Sequence, residues 1–141
     1  MQADLETCIN KYTNIITVND DAIHQMGLQL YQYIMLADLL ITDYSSVATD
    51  FLLLDRPMIF TLDDFEDFKK SRGLCFDDAK QYLPGYHVYD ETELKQAIYE
   101  ASNGDDRYEE KRKEALSLMH QHLDGQSSQR ILDLVRLKAV M

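Results

Sequence analysis

The sequence predicts an α/β fold in which helices flank a parallel sheet, and three features predict it. A short apolar run, Asp38 to Asp43 (DLLITD), is closed by polar residues and is too short for a helix. It gives way at once to SSVATDFLLLD, where Val47, Phe51 and Leu54 recur at helical spacing. A second apolar run, PMIFT from Pro57 to Thr61, opens on a proline, which suits the first residue of a strand. Strand, tight turn, helix and strand thus form a β–α–β unit from Leu39 to Thr61, with parallel strands and a right-handed crossover.

The elements on either side follow the same logic. Asp4 to Tyr12 reads as weakly helical, and Asn14 to Val18 (NIITV) has the β-branched enrichment of a short buried strand. After Gly27, Leu30, Ile34 and Ala37 fall on one face of a helix over LQLYQYIMLA. Beyond Thr61 the composition turns acidic and aromatic, with a short helix from about Phe65 to Lys70 and then a loop carrying Gly73, Pro84 and Gly85. Asp90 and Glu93 have capping-box spacing for a helix that Asn103-Gly104 stops. A further helix runs from about Arg107 to His122. Asp124-Gly125 breaks the chain, and Ser127 or Ser128 caps a last amphipathic helix carrying Ile131, Leu134, Val135 and Leu137.

The chain has 141 residues, enough for a single domain that buries about two-thirds of its unfolded surface. Three parallel strands are few for an open sheet, however, so one incomplete domain is expected, finished by a further segment or subunit. An uncovered sheet edge also predicts a homo-oligomer. Hydrophobic residues at 45% and charged residues at 28% describe a globular protein rather than a disordered one.

No run approaches the roughly 18 apolar residues needed to span a bilayer, and MQADLETCIN lacks the pattern of a signal peptide, so a cytoplasmic location is expected. With 25 acidic against 14 basic residues, the net charge of −11 argues against nucleic acid as a partner. Cys8 and Cys75 have no metal or disulfide spacing. The acidic group Asp63, Asp64, Glu66 and Asp67 lacks the spacing of a calcium loop and reads as a solvated helix start. Neither a metal nor a cofactor is expected.

The residues best placed for chemistry are Thr42, Asp43, Ser45 and Ser46, where the strand gives way to the helix. In open α/β sheets ligands sit beyond the carboxyl ends of strands, and free amides of the next helical turn bind phosphate. Ser45 and Ser46 add hydroxyls to those amides, and Asp50, one turn on, faces the same side and can accept from a ligand hydroxyl. A plainer alternative is that Asp43 or Ser45 merely caps the helix. His87, near Pro84-Gly85, is a weaker candidate, while His120 and His122 fall near a helix end and His24 follows the first run.

The segment LADLLITDYSSVATDFLLLDRPMIF resembles the signature of the CDP-glycerol glycerophosphotransferases, which build teichoic acids and related capsule polymers. Asp63 to Phe68, Arg72-Gly73, Pro84-Gly85, Glu91 to Ile98, and Asp124-Gly125 before Arg130-Ile131 match in the same order, so the resemblance runs from about Asn14 to Val135. It implies a GT-B architecture of two Rossmann-like domains, with this chain the later part of the C-terminal, donor-binding one. By that resemblance Thr42, Asp43, Ser45 and Ser46 would meet the donor pyrophosphate, Asp50 the donor hydroxyls, and Arg72 would neutralise phosphate.

CDP-glycerol or a related nucleotide donor, and a polymer acceptor held by an N-terminal domain, are the implied partners; the full-length protein would associate peripherally with the inner face of the membrane. Members of that family carry histidine motifs upstream, including the catalytic base. None stands before Asn14, so no catalytic residue is assigned and the chain alone is expected to be inactive. The family often has proline where this chain has Tyr86. A non-catalytic nucleotide-binding or interaction module, and a GT-B glycosyltransferase using another nucleotide donor, are the alternatives.

Overall fold

Three short strands pair side by side in the order β1-β2-β3: β1 (Leu40–Thr42), β2 (Met58–Thr61) and β3 (Tyr86–Val88), all parallel. They belong to a computed structural model that describes residues 12–73 and 78–139 and divides into two units, Met1–Ala37 and Asp38–Met141. The predicted helix over Asp4 to Tyr12 falls almost wholly outside the described residues.

In the first unit, α1 (Asp20–Gln25) starts where the Asn19 side chain accepts from Ala22 N at 2.9 Å, with Asp20 and Asp21 in the first turn. α2 (Leu30–Ile34) opens on a reciprocal pair between Gln29 and Gln32. It is shorter than the sequence predicts and has no buried residue, so little packing sustains further turns. The expected strand over Asn14–Val18 does not form: Asn14 lies in a turn, Ile15 to Val18 adopt no regular structure, and Ile16 is 81% exposed. β-branched residues favour extended backbone, yet a strand exists only where a neighbour supplies the ladder.

In the second unit the β–α–β reading holds. β1 leads through a turn to α3 (Val47–Phe51), which tightens into a 3₁₀ turn over Leu52–Leu54. Asp55 then adopts the left-handed conformation at φ 48°, and the chain enters β2. Ile41 pairs with Ile59 and Ile59 with Tyr86, so β2 is the central strand and Met58, Ile59 and Phe60 are buried. Ile59, Tyr86, Val88 and Ala97 form one core cluster, with Leu94, Ile98 and Tyr108 packed against it.

The third strand is one that the sequence reading treated as loop. Pro84 and Gly85 lead into β3, which places His87 in a strand rather than in a loop. Gly85 is required by close approach: a Cβ there would lie 2.2 Å from the Met58 carbonyl oxygen. α4 (Phe65–Ser71) follows β2, a 3₁₀ turn covers Ala79–Tyr82, and α5 (Glu91–Ser102) packs on β2 and β3. Asp90 caps α5 by accepting from Glu93 N at 2.9 Å, while the Glu93 carboxylate accepts from Tyr89 N at 2.7 Å.

α6 (Glu109–Met119) is shorter at both ends than predicted. Arg107 is drawn into ion pairs with Asp105 and Glu100, and His120 is extended, which ends the helix. α7 (Ser127–Ala139) forms as expected, its start braced by Asp124, which binds Gln126 N and the Arg130 guanidinium. No helix among the described residues is long and apolar enough to cross a membrane.

Candidate functional site

Because the three strands are parallel, the chain leaves Thr42, Thr61 and Val88 at one edge of the sheet. Two clefts open along that edge. One, of about 280 Å³, is lined by Asp63, Asp90 and Glu91 with Thr61, Tyr89 and Leu94, and its carboxylates repel an anion. The other, of about 230 Å³, lies between Tyr44, Ser45 and Ser46 on one side and Tyr82, Pro84 and Met119 on the other.

The second cleft has its character from the turn after β1. Asp43 Oδ1 accepts from Ser45 N at 2.8 Å, an Asx turn that reverses the chain. Ser46 is the residue before α3, but its side chain makes no capping bond. The capping alternative for Asp43 and Ser45 is thereby corrected: Asp43 braces the turn, and neither side chain caps the helix. Among the described residues, the hydroxyls of Ser45 and Ser46 and the amides of Ser46 and Val47 make no hydrogen bond. Both serines are exposed and Val47 is half-buried, so these four donors lie together at the end of a parallel strand.

Tyr44 fixes the turn sideways. Its ring packs on Phe68 at 4.2 Å and edge-on to Phe65 at 5.7 Å, and its hydroxyl donates to Asp64 Oδ1 at 3.0 Å. Desolvation against those rings, then the hydrogen bond to Asp64 and the charges of Asp64, Asp43 and Asp63, push the phenol up to about 12. Tyr44 is thus a neutral donor throughout the physiological range. Beside it, Lys80 Nζ lies 4.7 Å over the Phe65 ring and 3.8 Å from Glu66. The bracing by Tyr44 and the placement of Lys80 escaped the sequence reading, because both depend on partners distant in the chain.

Of the remaining candidates, Thr42 is half-buried at the end of β1, and its carbonyl accepts from Thr61 Oγ1 at 3.4 Å. Asp50 is exposed on α3, one turn beyond Ser46. Arg72 is exposed just past the end of α4, and among the described residues its side chain makes no hydrogen bond to the turn. His87 is turned away: its Nε2 lies 2.8 Å from the Leu83 carbonyl, and burial lowers its pKa. Among the described residues, no three histidine, cysteine or carboxylate side chains gather as metal ligands.

Fold and turn together define a Rossmann-like α/β domain in which these donors, without a partner among the described residues, stand beyond the carboxyl end of a parallel strand. Residues 5–137 match the family described as CDP-glycerol:poly(glycerophosphate) glycerophosphotransferase, and the chain belongs to that family.

It is similar to the teichoic acid ribitol-phosphate primase of Bacillus spizizenii, 35% identical over 84% of this chain and 30% of that relative. It is likewise similar to the teichoic acid glycerol-phosphate primase of Bacillus subtilis, 34% identical over 75% of this chain and 26% of the relative. Among solved structures, the wall teichoic acid polymerase TagF superposes with a TM-score of 0.59 at 30% identity, over 74% of this chain and 26% of TagF. The architecture is that of part of a GT-B C-terminal domain, and the chain spans less than a third of these relatives' length.

Proposed function

We propose that this chain is the donor-binding portion of an enzyme that transfers glycerol phosphate from CDP-glycerol to a teichoic-acid or capsule-type polymer. The observation that carries the reading is the turn itself: in a chain of this family, the hydroxyls of Ser45 and Ser46 and the amides of Ser46 and Val47, without a hydrogen-bond partner among the described residues, stand together beyond a parallel strand, which suits a nucleotide pyrophosphate. The net charge of −11 repels an anion at long range, which makes such fixed, close-range donors the suitable means of holding one.

In this scheme the Thr42–Ser46 turn meets the pyrophosphate, with Asp43 holding its shape. Asp50 accepts from donor hydroxyls, and Arg72 brings positive charge to the leaving phosphate. The chain acts as one incomplete domain, and the catalytic base and acceptor site come from the part of the enzyme beyond it. The enzyme works in the cytoplasm at the inner membrane face, where the full-length protein holds the growing polymer. The ribitol-phosphate primase among the relatives supports a second reading, in which the transferred group is ribitol phosphate.

Isothermal titration with CDP-glycerol, CDP, CMP and UDP tests the proposal. Saturable binding of the two cytidine diphosphates, weakened by Ser46→Ala and by Asp50→Ala without loss of fold, is the expected result. Failure of all four nucleotides to saturate the chain would remove the donor-binding reading. CDP-ribitol outcompeting CDP-glycerol would select the second.

A further inference from the structure

The donors of the turn stand on a helix too short to hold itself. α3 has five residues before it tightens into 3₁₀ geometry, and an isolated helix of that length is unstable in water. Two side chains from the α6 region grip the segment at two points.

The first is Arg112, whose side chain is 1% exposed. Its Nε donates to Asp55 Oδ1 at 3.0 Å, and Nη1 and Nη2 each donate to the Asp106 carboxylate at 2.6 Å. Nη2 also reaches the Asp55 carbonyl at 3.4 Å. Asp55 is the residue at φ 48°, a conformation that side chains other than glycine rarely adopt, so the guanidinium holds a strained position. Burial opposes the charge on Arg112, but the hydrogen bonds and charges of Asp106 and Asp55 outweigh it and raise its pKa.

The second is His120, the residue that ends α6. Its Nε2 lies 2.8 Å from the Thr49 carbonyl oxygen, and since a carbonyl only accepts, Nε2 carries the proton and donates. Thr49 lies in the last α-helical turn before the change to 3₁₀ at Leu52, where the shift in bonding leaves carbonyls without their i→i+4 partners. Thr49 and Asp55 bracket the stretch between them, and Asp50 stands inside that bracket, one turn from Ser46.

We propose that His120 and Arg112 are positioning residues of the donor site, which together set the rotation and height of the segment carrying Ser46 and Asp50. This rests on the donor-binding reading above for its functional consequence, and on the contacts alone for its mechanical one. Neither residue touches the ligand in this scheme. Each acts through the backbone of α3 and the 3₁₀ turn.

His120 is the residue to test, because replacing buried Arg112 strands the Asp106 carboxylate and endangers the fold. The full chain is compared with His120→Ala and with His120→Gln, whose side-chain amide N–H can reach the same carbonyl. Hydrogen exchange is followed without ligand, and CDP-glycerol is titrated calorimetrically. Loss of one such bond predicts that His120→Ala exchanges residues 47–55 about fivefold faster, leaves α5 unchanged, and weakens CDP-glycerol about fivefold. His120→Gln restores both.

Unchanged exchange over residues 47–55, an increase spread evenly over the chain, or no rescue by glutamine would overturn the proposal. If the wild-type chain binds none of CDP-glycerol, CDP, CMP and UDP, the donor-binding reading fails. The exchange result still decides whether His120 holds the segment.

Discussion

Helices α5 and α7 have the same kind of sequence and opposite fates. Each runs for about three turns, and each carries an apolar stripe at helical spacing. α5 lays its stripe on the sheet, so Ala97 is only 3% exposed and Leu94 and Ile98 pack beside Ile59 and Val88. α7 leaves its stripe open, with Ile131 at 62% exposure and Leu132, Leu134 and Val135 likewise exposed. An amphipathic pattern therefore states which face a helix would bury. It says nothing about whether a surface is present to receive it.

The contrast can be broken at several points, starting with the surface under α5. Ile59 is fully buried in the central strand, so Ile59→Ala should cost about 3 to 4 kcal/mol in urea unfolding. A loss below about 1 kcal/mol would mean that the sheet is not the floor of this core. Gly85→Ala drives a Cβ to 2.2 Å from the Met58 carbonyl in the neighbouring strand, and about 3 kcal/mol of destabilisation is expected, read as a lowered melting temperature. A normal melting temperature would show that β3 is free to move away.

Smaller effects sharpen the comparison. Removing the cap of α5 with Asp90→Ala should cost about 1 kcal/mol, because Glu93 N loses its acceptor. On α7, Leu134→Ala should change stability by less than about 0.5 kcal/mol. A loss as large as that of Ile59→Ala would reveal that something in solution covers the stripe, such as a second copy of the chain.

Tyr44 supplies the last test. Its phenol is raised from the usual 10.0 to about 12, so the folded state holds the proton more tightly than the unfolded one. The stabilisation is fully present below pH 10 and is lost as the pH rises through 12. Tyr44→Phe should flatten that alkaline decline, and a decline of unchanged slope would assign it to other groups.

Much of the second unit was legible because its signals are local. The apolar run of β1, the serines after it, the helical spacing of Val47 and Phe51, and Pro57 before β2 lie within about twenty residues and imply one another. The parallel register follows from that order. The candidate turn was legible for the same reason, since strand end, polar turn and helix start are adjacent in sequence. β3 escaped because three residues after Pro84-Gly85 hardly differ from a loop until β2 is there to pair with them. Asn14–Val18 failed in the opposite sense: it has the composition of a strand and lacks a partner in the described structure.

By itself the sequence determined the α/β class, the β–α–β unit, the turn of Thr42 to Ser46 and the likeness to a glycerophosphotransferase family. Those depend on propensity, hydrophobic period and residue order over short spans. Tertiary structure alone decided that Tyr44 is pinned between Phe65, Phe68 and Asp64, that Arg112 bridges to Asp55 fifty-seven positions away, and that His120 reaches the Thr49 carbonyl. A side chain's partner across the fold is set by how the elements pack, and packing energy is spread over the whole core rather than written at any one position.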